Sequence, residues 1–79
     1  MTGLLSWPMN RAMLEAALEA TERHLAEAER QVANQRERVA QLEREGRDNT
    51  LPTELLKQWE EALAMHLADR DRIRKELGD

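Results

Sequence analysis

The sequence predicts an all-α fold: an antiparallel two-helix coiled-coil hairpin that dimerises into a four-helix bundle. Three observations carry this. Leu14, Leu18, Thr21, Leu25, Ala28, Val32, Gln35, Val39 and Leu42 recur at spacings of 4,3,4,3,4,3,4,3, a heptad seam that needs a helical partner. Strand-forming residues are scarce: Val32, Val39 and Ile73 are the only aliphatic β-branched residues, and Trp7 and Trp59 the only aromatics. Gly46 and Pro52 bracket a polar stretch between two apolar-periodic segments, as a helix stop followed by a helix start does.

Residues 1–9 are an apolar arm without charge, carrying Leu4, Leu5, Trp7 and Met9. Such a segment either frays or covers an apolar patch on its own or a neighbouring chain. The helical hairpin occupies residues 10–79. Helix 1 runs from about 10 to 45. Its N-cap is either Ser6, with Pro8 in the first turn, or Asn10, with Met9 and Leu14 as a hydrophobic staple. Glu19 and Arg23 are placed for an i,i+4 ion pair. Gly46 ends this helix, and the turn spans 46–52. Helix 2 runs from about 53 to 77. It starts with Thr50 or Leu51 before Pro52, or with Thr53 as N-cap, and Gly78 stops it.

Helix 2 has its own seam of Leu56, Trp59, Leu63, His66, Arg70, Ile73 and Leu77, at spacings of 3,4,3,4,3,4. The turn is short, so the helices lie antiparallel. Charge matching selects a register with Leu42 on Leu56, Val39 on Trp59, Gln35 on Leu63, Val32 on His66, Ala28 on Arg70, Leu25 on Ile73 and Thr21 on Leu77. The flanks then pair Arg36 with Glu60, Glu22 with Arg74, His24 with Glu76 and Gln31 with Asp69, and Arg70 has Glu29 as a partner. Residues 10–20 overhang helix 2 by about 16 Å in this register. Leu14 and Leu18 are then uncovered, as are Leu55, Ala62, Met65 and Leu67 on the broad apolar face of helix 2. Together with Trp7 these are the candidate interaction residues. Unpaired apolar surface in two places predicts self-association.

His66, Arg70 and Gln35 are polar residues at seam positions. They fix register as polar layers do, or they line a pH-sensitive or ligand-binding site between the helices. His24 with Glu27, and His66 with Asp69, have i,i+3 spacing, the Glu-x-x-His motif of bundle metal sites in reverse order. The expected register keeps the two histidines apart within one chain, so a shared metal would need a dimer. The expectation is no metal and no cofactor.

Net charge is −4, from 12 Lys+Arg against 16 Asp+Glu, with the signs interspersed. That lacks the basic stripe of a nucleic-acid interface. No apolar run approaches the roughly 20 residues of a membrane span, and residues 1–9 lack the basic start of a signal peptide. The chain reads as cytoplasmic. There is no Cys, no Tyr, no Gly-rich phosphate loop, and a single Ser, Ser6. No catalytic constellation is present, so the expectation is a non-enzyme.

Arg23-His24, Gln35-Arg36, Leu42-Glu43-Arg44, Gly46-Arg47-Asp48, Leu55-Leu56, Glu60, His66 and Asp69-Arg70-Asp71-Arg72 resemble the pattern of a group of short uncharacterised bacterial helical-hairpin proteins. The likeness spans Met9 to Leu77. This chain departs from it with Arg47 in place of His and Trp59 in place of Phe. The resemblance implies a shared hairpin and carries over no site. In shape alone the expected architecture is similar to Rop, a dimeric hairpin that binds paired RNA loops. Arg30, Arg38, Arg44 and Arg47, however, are interleaved with Glu27, Glu37, Glu43 and Glu45. The expected function is a homo-oligomeric coiled-coil interaction or regulatory module, with itself or another helical protein as partner. The alternatives are a Rop-like nucleic-acid-binding dimer, and a metal- or pH-responsive dimer through His24 and His66.

Overall fold

The computed structural model describes residues 10–78. Two helices pack against each other: α1, Arg11–Arg44, and α2, Thr50–Leu77. The apolar arm at 1–9, with Trp7, lies outside the described residues. Among the described residues there is no strand, and no helix is long and apolar enough to cross a membrane.

The helix ends follow local chemistry. Asn10 caps α1: its side-chain oxygen accepts from the Met13 N–H at 2.8 Å. At the other end, the Arg47 N–H reaches the Leu42 carbonyl at 2.9 Å and the Gly46 N–H reaches that of Glu43 at 3.1 Å. This is the Schellman arrangement. It needs a left-handed residue, and Gly46 supplies φ 68°. Gly78 closes α2 in the same backbone region, at φ 91°. α2 starts at Thr50, one of the starts the sequence offers, and only its cap differs from expectation. Asp48, rather than any threonine, supplies the cap. Its Oδ1 accepts from the Thr50 N–H at 3.0 Å and the Thr50 hydroxyl at 2.7 Å, while Asn49 holds the N-cap backbone position.

These two bonds stabilise the Asp48 carboxylate and hold it below the usual value near 3.8, the Thr50 hydroxyl contributing most. A lowered native value adds stability above the unfolded value and loses it as pH falls through the native one. Asp48→Ala should therefore destabilise the hairpin by the same amount from pH 5 to 8. The gap from the parent should close in acid, below about pH 4. Melting of both proteins across that range checks it, and a gap unchanged at pH 2 would remove this cap from the account.

The register differs from the one charge matching selects. The Arg11 guanidinium donates to the Leu77 carbonyl at 3.3 Å, Gln35 Nε2 donates to the Pro52 carbonyl at 2.9 Å, and the His24 and His66 rings lie 6.0 Å apart. In the expected register Leu77 would sit beside Thr21, about 15 Å of helix away from Arg11. All three contacts fit α2 moved by one heptad towards the N-terminus of α1. That shift sets Trp59 across from Val32, Leu56 across from Gln35, Leu63 across from Ala28, Ile73 across from Leu18 and Leu77 across from Leu14.

The physical reason is a balance of magnitudes. The shift keeps the seam in phase and covers the overhang, and each leucine taken from water contributes roughly 1.5–3 kcal/mol. Exposed ion pairs contribute only some tenths. The expected pairs Arg36–Glu60 at 2.9 Å and Glu22–Arg74 at 3.2 Å form all the same, because long side chains reach the next rung. Others do not. Asp69 takes Arg72 at 3.0 Å, and Arg70 takes its neighbour Asp71 at 2.9 Å instead of Glu29. Glu19–Arg23 closes at 3.4 Å as expected.

The core lies on α1. Leu14, Leu25, Val32, Gln35 and Leu42 are buried, Val32 most deeply at 2% exposed. Leu18 and Val39 are half-buried. On α2 the seam residues Leu56, Trp59, Leu63, His66, Arg70, Ile73 and Leu77 are all half-buried, and none is fully buried.

Candidate functional site

Two features carry the chemistry of this surface. The first is an apolar stripe on α2. Leu51, Leu55, Ala62 and Met65 follow one another at 4, 7 and 3 residues, which puts them on one face beside the seam. All four are exposed, Leu51 by 79%, Met65 by 69% and Leu55 by 37%. One helical partner covers one side of α2 only, so this stripe stays in water. Leu67, grouped with it from the sequence, is half-buried on the other flank of the seam. Leu14 and Leu18 belong to the opposite end of the molecule. The heptad shift buries the first and half-buries the second, so neither is an open surface.

The second feature is the polar seam. Gln35 is buried, and its amide is satisfied by the Pro52 carbonyl at 2.9 Å. Arg70 is half-buried, with its guanidinium turned to Asp71 through bonds of 3.0 and 2.9 Å. His66 is half-buried, and the exposed His24 meets it from α1 with the rings tilted by 50°. Sequence reasoning held these two histidines apart. The structure brings them together in one chain, because one heptad of sliding moves His66 from beside Val32 to beside Leu25. Glu27 and Asp69 do not complete a site. Among the described residues no three His, Asp or Glu side chains stand close enough to hold a metal.

At the turn end, arginines and carboxylates neutralise one another. Arg44 bonds Glu37 at 3.2 Å and Arg47 bonds Glu45 at 3.4 Å. The described surface opens no pocket. Its chemistry is that of a solid helical rod with one wet apolar stripe. Comparison with protein-family models, with curated proteins and with solved structures gave no match for this chain.

Proposed function

We propose that this chain is a non-enzymatic interaction module whose partner is a second copy of itself, two hairpins closing into a four-helix bundle. The observation that carries the reading is the state of α2. No residue of α2 is fully buried, while Leu51, Leu55, Ala62 and Met65 form an exposed stripe. A chain of 79 residues folded as a hairpin has a thin core, and pairing two of them covers both stripes without disulfide or metal. A closed two-fold is the simplest such assembly. The neutralised turn end, where Arg44 and Arg47 are engaged, weighs against the RNA-binding alternative.

Light scattering of the purified chain tests the proposal. The expected mass is twice 9.2 kDa at micromolar concentration. Met65→Lys should give a monomer of unchanged helicity, since Met65 makes little contact with α1. A parent protein that stays monomeric at 100-fold higher concentration would overturn it.

A further inference from the structure

We propose that His24 and His66 form a two-imidazole clamp for Zn²⁺ that ties α1 to α2 within one chain. The two rings come from different helices and stand 6.0 Å apart, tilted by 50°. Imidazoles sharing one tetrahedral zinc, with Zn–N bonds of about 2.0–2.1 Å, have ring centres about 5–5.5 Å apart. Less than about 1 Å of closure separates the observed pair from that geometry, within the reach of side-chain rotation. Access is open, because His24 is exposed and His66 half-buried. The groups that follow His66 by three and four residues already have partners. On α2, Asp69 is engaged by Arg72 at 3.0 Å and Arg70 by Asp71 at 2.9 Å. On α1, Glu27 stands one turn from His24.

Two nitrogen donors with water in the remaining positions suit a borderline ion such as Zn²⁺ and do not suit Mg²⁺, which prefers oxygen. The clamp joins positions 42 residues apart in sequence, so bound metal favours the closed hairpin over the unfolded chain. This inference is independent of dimerisation, since one chain supplies both donors.

Melting of the full chain, followed by circular dichroism with ZnCl₂, with MgCl₂ and with EDTA, tests it, and light scattering under the same conditions reports the mass. Zinc at about ten times its dissociation constant should raise the midpoint by about 5–10 °C. EDTA should reverse the rise, Mg²⁺ should not produce it, and the mass should not change. His24→Ala should melt as the parent does without metal, because His24 is exposed, and should lose the zinc response. A parent midpoint unmoved by zinc overturns the clamp. So does a zinc response that survives in His24→Ala, which would assign the ion to surface carboxylates. A response that appears only with a doubled mass would make the histidines a bridge between chains, and would equally overturn the single-chain site.

Discussion

Val32→Asp is expected to unfold the hairpin. Val32 is the most deeply buried core residue, 2% exposed, and the register sets it across from Trp59. A carboxylate there would lose its hydration with no partner to replace it, since the neighbouring buried positions on α1 are Leu25 and Gln35. Gln35 already spends its amide on Pro52. An unpaired buried charge costs several kcal/mol. A core this small rarely contributes more than about 3–5 kcal/mol in all. The helical dichroism of the variant at 25 °C should therefore collapse, whereas Val32→Ala should remain folded with a loss of about 2 kcal/mol. A Val32→Asp chain that melts like its parent would show that the seam is not the core.

Trp59→Ala has the next largest expected effect, and its size depends on what covers α2. A fully buried tryptophan costs about 3–5 kcal/mol to truncate. Trp59 is only half-buried against α1. One chain by itself therefore accounts for about 2 kcal/mol of that loss. The expected result is a loss near the lower figure in dilute protein. It should grow towards the fully buried value at concentrations where two chains associate. Denaturation of parent and variant at two protein concentrations separates these terms. A loss identical at both would mean that the open side of Trp59 faces water in every state.

Much of the fold is legible in the sequence because it is written in local signals. Asn10, Gly46 and Gly78 terminate helices by capping geometry that depends on a few neighbouring residues. The unbroken spacing from Leu14 to Leu42 specifies one long amphipathic helix. Register is harder. A heptad pattern moved by seven residues still matches itself, so the apolar seam cannot distinguish the two alignments, and surface charges differ by only tenths of a kcal/mol. What separates them is the Gln35–Pro52 bond, together with the leucines that would otherwise be wet. Neither is visible in a pattern of charges. The His24–His66 contact was hidden for the same reason: it exists in one alignment and not in the other. The apolar stripe of α2 could be read in advance, because Leu55, Ala62 and Met65 exceed what a single seam can use.

The Gln35–Pro52 bond has a mechanical consequence. Two heptad rods in contact behave like toothed racks, and each slide of about 10 Å brings the teeth back into mesh. Such a rack has several positions in which the seam meshes, and they differ in how much of each rod is covered. The buried amide of Gln35 fits the carbonyl of Pro52 in one of them only, and in every other position it would be stranded without a partner in an apolar layer. It therefore acts as a detent, adding to the leucine burial that favours this position a penalty for leaving it.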